Sequence, residues 1–340
     1  MNLLTELLGE HEFDIQYPNI AEVEYDDKGK PKQSWMKDWT QEERTEKFFE
    51  FCREYDLRRD SLLRDNYQQF SHRLHWHECP FVDEIKEVDD FKTVLEACLI
   101  FSFSNEHWKT FKAWQSGGPE AMRTRFLTER HARSDLFQIY YPKDTSVKDW
   151  LCEVPTVFAE KHAESLFEKR NRPYTMMEFA KKLNTIFVEE FGFRNAMYPC
   201  KNAARHVAMT HPDWVDPDSF LHGGTGYFDG LSQVFDCPNL MSKSKYDINE
   251  FGEYIPLNDA AKMQVEHMDY LKVHPSNPIH THNYLNLEDK LCMHYKYMAV
   301  KFGVKSQTMQ IPYDWVYPID WSLRTNNYDR LTNGTQQTRH

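Results

Sequence analysis

The chain of 340 residues has little glycine, only 12 in all, and no two cysteines at CxxC spacing. It contains no apolar run that approaches the length of a bilayer span, no internal repeat and no low-complexity tract. Each absence removes a class. Without a long apolar run, no membrane-spanning helix is expected. The opening Met1-Asn2-Leu3-Leu4-Thr5-Glu6 is acidic and lacks the basic region of a signal peptide. The expectation is a soluble intracellular protein with no membrane partner, located in the cytoplasm, or in that of a host cell if the chain is viral. The seven cysteines, at 52, 79, 98, 152, 200, 237 and 292, are odd in number and scattered, which argues for reduced thiols and against a disulfide framework.

Aromatic residues are abundant, with 9 Trp, 18 Tyr and 23 Phe, so the chain has ample material for a packed core. Its length allows two lobes. The formal net charge is -12, but residues 1–100 alone carry 13 basic and 24 acidic side chains, while 101–200 carry 15 and 13. The acid is concentrated in the first third, so the rest of the chain has scope for a local basic surface. The balance disfavours tight non-specific binding to nucleic acid without excluding a nucleic-acid substrate.

Helical periodicity dominates, and the fold class read from it is mainly α with few short strands. Residues 1–40 read as an irregular arm with a turn at Asp26–Pro31, 41–190 as a helical lobe, 191–305 as a second helical lobe, and 306–340 as a C-terminal extension. Gln41-Glu42-Glu43 supplies an acidic first turn ahead of Phe48, Phe49, Phe51 and Cys52. A helix is expected from Asp90 to about Phe103. Ser104 or Asn105 then caps a helix over Glu106–Gln115, Gly117-Gly118 ends it, and Pro119 opens the next. Thr175-Met176-Met177-Glu178 has the form of a capping box, with Gly192 as the stop, and Asn258 or Asp259 starts a helix over Ala260–Lys272. Leu136–Tyr141 and Gln307–Tyr313 are the best strand candidates.

The segment Leu287-Glu288-Asp289-Lys290-Leu291-Cys292-Met293-His294-Tyr295-Lys296-Tyr297 is the most informative. With Asn286 as a cap and Gly303 as a stop, it forms a helix on which Glu288, Cys292 and Lys296 share one face. Spacing alone also fits an amphipathic surface helix with one Glu/Lys ladder.

A second region runs from Phe193-Arg194-Asn195 through Pro199 into Cys200-Lys201-Asn202-Ala203-Ala204-Arg205. Pro199 suits a first helical turn, and Lys201 and Arg205 would project together near free backbone N–H groups, a plausible anion site. Two solvated cations on a surface helix is the plainer alternative. Shortly after comes His222-Gly223-Gly224-Thr225-Gly226-Tyr227-Phe228-Asp229-Gly230, four of the 12 glycines in one short stretch. Its backbone must turn tightly or approach something closely. No Gly-Lys-Ser/Thr follows and no strand precedes it, so it is neither a Walker A loop nor a dinucleotide fingerprint. A phosphate-cradling nest with Thr225, a hairpin that touches a DNA backbone, and a structural turn all remain open.

His72, His75 and His77, with Glu78 and Cys79, offer metal-ligand types at a spacing that defines no helix pair, and ordinary surface histidines are the simpler account. His274, His280 and His282 lie in a Pro/Asn-rich loop just before the signature helix, where a general base or substrate contact could sit.

The pattern Glu-x-x-Leu-Cys-x-x-x-Lys-Tyr, carried here by Glu288, Leu291, Cys292, Lys296 and Tyr297, resembles the C-terminal signature of the α-glutamyl/putrescinyl-thymine pyrophosphorylase and amino-acid:DNA transferase group, the thymine-hypermodification proteins of bacterial viruses. The helical domain attached to hydroxymethyluracil DNA kinases is similar. The resemblance covers about Phe193 to Gly303, with the Gly-rich segment as weaker support, and departs at Asp289 and Met293, where the group often has His and an acid. It implies a helical core of DNA-glycosylase type. The activity implied replaces the pyrophosphate on 5-hydroxymethyluracil in double-stranded DNA with an amino acid or polyamine, downstream of a DNA kinase.

For that chemistry the candidate catalytic residues are Glu288, Lys296 and His282, with His280 a further candidate base. Candidate phosphate- or DNA-binding residues are Arg194, Lys201, Arg205, Gly223, Gly224, Thr225, Gly226, Asp229, Cys292 and Tyr297. Mg²⁺ would help pyrophosphate leave, but no Asp/Glu cluster fixes a place for it. A glycosylase-like hydrolase and a non-catalytic DNA-binding partner of a kinase are the alternatives.

Overall fold

The computed structural model describes residues 23, 24, 26, 31–70, 80–104, 107–128, 146–168, 170–237, 244–280 and 283–301. Among these the protein is mainly α, with two small two-stranded sheets. The chain divides into two compact units that do not follow the linear lobes expected from the sequence. The first unit comprises Met1–Leu62, Gly223–Asp247 and Ile255–His340; the second comprises Leu63–His222 and Ile248–Tyr254. The split at 190 is replaced by an interleaved chain, because segments distant in sequence supply one another's core.

Helix α1 (Gln41–Phe70) begins where its acidic first turn predicts, with Thr40 closing on Glu43: the Thr40 N–H donates to Oε2 at 2.8 Å. Next come α2 (Pro80–Ile85) and α3 (Phe91–Phe103), whose cap is Asp90, accepting from the Thr93 N–H at 3.0 Å. Ser104 ends α3 in an extended conformation, and Asn105 and Glu106 fall outside the described residues. Helix α4 (His107–Thr128) breaks at Gly117-Gly118, with Gly118 at φ 63, so the stop and the restart at Pro119 are as expected. Helix α5 (Val147–Leu166) follows.

Strand β1 (Tyr174–Thr175) leads directly into α6 (Met176–Phe191). Thr175 caps α6 through the Glu178 N–H, and Gly192, left-handed at φ 74, returns its own N–H to the Phe187 carbonyl. The capping box is only half made: the Glu178 carboxylate pairs with Arg170 at 2.8 Å and Arg172 at 2.9 Å. Helix α7 (Met197–Thr210) has Pro199 in its first turn, and β2 (Val215–Asp216) pairs in parallel with β1, Tyr174 opposite Val215. Phe81 and Phe101 pack on His206 in the second unit's core, with Phe111 against both phenylalanines, and Phe103, Trp150, Phe158, Phe187 and Phe193 make a second aromatic cluster there.

In the first unit, α8 (Thr225–Phe235) and α9 (Asp259–Val273), capped by Asn258, pack with α10 (Asn283–Lys301). Between α8 and α9 the chain forms a hairpin of β3 (Tyr246–Ile248) and β4 (Tyr254–Pro256). The expected arm is no loose appendage over its described part. Ser34 donates from its N–H to Asp236 and from its hydroxyl to the Gln233 carbonyl, at 2.8 and 2.6 Å. Trp35 is buried and stacks on Tyr295 at 5.8 Å. Arg44 and Gln41 both donate to the Val234 carbonyl, satisfying the C-terminal end of α8. The strand candidates Leu136–Tyr141 and Gln307–Tyr313 lie outside the described residues, as do Cys79, Gly303 and most of Asp26–Pro31; the other six cysteines are free thiols. Among the described residues no helix is long and apolar enough to cross a membrane.

Candidate functional site

The signature helix α10 begins at Asn283, so Asn286 is a buried residue of its interior and not its cap. The preceding loop explains the earlier start. Asn277 donates from Nδ2 to the Lys272 carbonyl at 3.1 Å and to Asn283 Oδ1 at 3.4 Å, while its Oδ1 accepts from the Ile279 N–H at 2.9 Å.

The amphipathic surface helix is also corrected. Leu285 through Leu291 are buried without a break, as are Met293, His294, Tyr295 and Tyr297. Charged residues lie inside: Glu288 is 7% exposed, Asp289 8% and Lys290 2%. Lys290 Nζ sits 4.9 Å from the Tyr55 ring centroid. His294 is enclosed by Phe48 and Phe51, with ring centroids at 5.5 and 5.0 Å, and burial pushes its imidazole down to about 3. Charges are costly in such surroundings unless matched.

The glycine segment supplies part of the match. Gly224 precedes α8 with no side-chain cap of its own, and its N–H lies 3.4 Å from Glu288 Oε1. A carboxylate thus stands at the positive end of α8, where both the free N–H groups and the helix dipole favour it. One turn further along α10, Cys292 faces Gly226: a Cβ there would come within 2.5 Å of Sγ. At Gly230 a Cβ would lie 2.1 Å from the Leu291 carbonyl oxygen. Gly226 and Gly230 are four apart and let the backbone of α8 rest on α10. Gly223 answers a different demand, since a Cβ would strike the Tyr227 ring at 2.2 Å. Close helix contact accounts for Gly226 and Gly230.

The remaining candidates are dispersed. Thr225 is exposed at the start of α8, and Asp229 is half-buried, its carbonyl accepting from the Ser232 hydroxyl at 2.8 Å. Lys296 is half-buried. Tyr297 is a fully covered core residue 5.4 Å from Phe51, which removes it from the DNA-contacting set. Cys292 likewise acts in the α8–α10 contact. His282 and the His72/His75/His77 cluster lie outside the described residues; His280 is exposed.

Lys201, Arg205 and Arg194 belong to the second unit. Neither Lys201 nor Arg205 is a solvated cation; each is 8% exposed on a helix buried from Pro199 to Ala208. Lys201 Nζ donates to the His222 carbonyl at 2.7 Å, so it holds the residue directly before Gly223. Arg194 is exposed.

Sequence reasoning missed one group of metal-ligand types in the first unit. Glu42, Glu46 and His274 bring one ligand atom each within 4.8 Å of one another. Their hydrogen bonds are internal. Tyr270 donates to Glu42 at 3.1 Å, the Ser276 hydroxyl donates to Glu46, and the Ser276 N–H faces His274 Nδ1 at 3.2 Å. That leaves the imidazole proton on Nε2, 3.3 Å from the Glu42 carboxylate, so in this arrangement the ring itself offers no lone pair to a metal. The i, i+4 spacing of Glu42 and Glu46 was the available signal; the partner 228 residues on was not readable.

No protein-family model, curated protein or solved structure matches the chain.

Proposed function

We propose that this protein is a DNA base-hypermodifying transferase, which replaces the pyrophosphate of pyrophosphorylated 5-hydroxymethyluracil in DNA with an amino acid or polyamine, on a helical core of glycosylase type. One observation carries the reading. The two segments linked in the sequence only by resemblance, the signature helix and the Gly-rich stretch, meet through the Glu288 carboxylate and the Gly224 N–H. Both belong to the first unit.

In this reaction the amine's nitrogen forms a bond to the 5-methylene carbon, and the bond from that carbon to the pyrophosphate oxygen breaks. The electron pair leaves with pyrophosphate, and the amine must shed a proton. Glu288 is the base: its carboxylate is held in place by α8, and its burial shields the exchange from bulk water. Lys296, one helical step beyond Cys292 on the same face of α10, is the nearest cation in sequence register for the departing charge. The methylene becomes reachable when the base leaves the stack.

The test is mass spectrometry of nucleosides from hydroxymethyluracil DNA, treated first with a cognate kinase and ATP and then with this protein and a pool of amines. A nucleoside with the mass of a thymine–amine adduct is expected. Free base with abasic sites would instead establish a hydrolase, and unchanged pyrophosphorylated DNA would sink both.

A further inference from the structure

Helix α9 buries Ala260, Ala261, Gln264, Met268 and Leu271. Gln264 is out of place on that face. It is 0% exposed, and neither its carboxamide oxygen nor its nitrogen has a hydrogen-bond partner. A buried amide left open at both atoms weakens the fold, and Leu or Met would fill the same volume without that cost. Side chains on a helix lean towards its N-terminus, and the turn before Gln264 carries Ala260 and Ala261, two of the smallest side chains available. The helix that carries it packs on α10, within the same unit as Glu288.

An open carboxamide presents one acceptor and one donor side by side. Its complement is a planar group with a donor and an acceptor side by side, such as the C(=O)–N–H edge of a lactam or imide. The uracil ring carries such an edge at N3–H and its flanking carbonyls, and modification at C5 leaves that edge untouched. We propose that Gln264 recognises the uracil ring of the substrate, its oxygen accepting N3–H and its nitrogen donating to the adjacent carbonyl. This assignment rests on the transferase reading for the identity of the ring. Because the amide is fully covered, a ring reaches it only through local opening, and association is slow against the diffusion limit.

The experiment is thermal denaturation of the full chain with saturating thymidine or 3-methylthymidine, the second lacking the N3–H. Thymidine should raise the melting temperature by about 2–3 °C at ten times its dissociation constant, and 3-methylthymidine should leave it unmoved. Gln264→Leu should melt at or above the wild-type temperature and ignore thymidine. Equal shifts with both nucleosides, no shift with either, or a responsive Gln264→Leu would each overturn the assignment. If Gln264→Leu does not fold, Gln264→Met takes its place, and the wild-type pair of nucleosides decides by itself. Adduct formation on DNA is scored separately. Adduct at an undiminished rate in Gln264→Leu removes the role of Gln264 and leaves the transferase standing. N3–H-dependent binding with no adduct does the reverse.

Discussion

Helices α6 and α10 differ in how they are held, and the difference separates a structural helix from a candidate site. α6 buries one face, through Met176, Met177, Phe179, Ala180, Leu183 and Phe187, and both of its ends are closed by its own neighbours in sequence, Thr175 and Gly192. α10 is covered at every position from Leu285 to Leu291, acid and base included. It is held by main-chain contact with α8 and by aromatic rings from α1. The buried face of α6 is apolar; that of α10 also takes in Glu288, Asp289, Lys290 and His294.

The contrast can be broken most directly at the glycines. Gly230→Val drives carbon into the Leu291 carbonyl and should destabilise the first unit by about 3 kcal/mol or more, whereas Gly192→Ala at the end of α6 should cost about 1 kcal/mol; urea denaturation compares the two. If Gly230→Val is tolerated as well as Gly192→Ala, the close approach of α8 and α10 is wrong.

Glu288→Gln keeps shape and removes charge. Adduct formation should fall about 100-fold, the scale for a lost general base, while the melting temperature changes little. Undiminished turnover would return Glu288 to a capping role alone.

His294 sharpens the contrast through pH. Its folded value of about 3 lies below the ordinary one, so the unfolded chain binds the proton first. Its contribution to stability is complete above pH ~6.5 and is lost as pH falls towards 3, at about 1.4 kcal/mol per pH unit inside that window. Burial pushes His267 on α9 to about 4, with the same sign. Denaturation at successive pH values should show a shallower slope in His294→Leu. No histidine lies on α6, so substitutions of its buried apolar residues, away from the Glu190 carboxylate that Lys161 holds low, should leave the slope alone.

The smallest effect is at the cap. Thr175→Ala should cost about 1 kcal/mol of stability and leave adduct formation unchanged, since the Thr175 hydroxyl meets only the Glu178 N–H and the Gly252 carbonyl. An activity loss larger than the stability loss would mean that α6 serves more than packing.

What the sequence made legible was local. Asp90, Thr175, Gly192, Asn258 and the break at Gly117-Gly118 each act within a few residues of themselves, and all are found as expected. The glycines between Gly223 and Gly230 announced a close approach, but Glu288 is 64 residues beyond Gly224, so what they approach was unreadable. The spacing of Gly226 and Gly230 was the available sign. The parallel pairing of Tyr174 with Val215 was missed for the same reason, since two-residue strands have no alternation to detect. Lys201 and Arg205 read either as an anion site or as surface cations, and their burial was not legible because helical spacing reports which residues share a face, not whether another helix covers it.

The interleaving of the two units also sets an order of events. The second unit is nearly continuous, Leu63–His222, whereas the first draws on Met1–Leu62, Gly223–Asp247 and Ile255–His340. As the chain is synthesised, the second unit can close while Phe48, Phe49 and Phe51 of the first still lack the helix that covers them. Closing the first unit means joining residues more than 200 positions apart, as Trp35 joins Tyr295, which is a slow step. Helix α10 is therefore also the latch of the fold, and a chain that stops short of it exposes an aromatic surface as well as lacking Glu288.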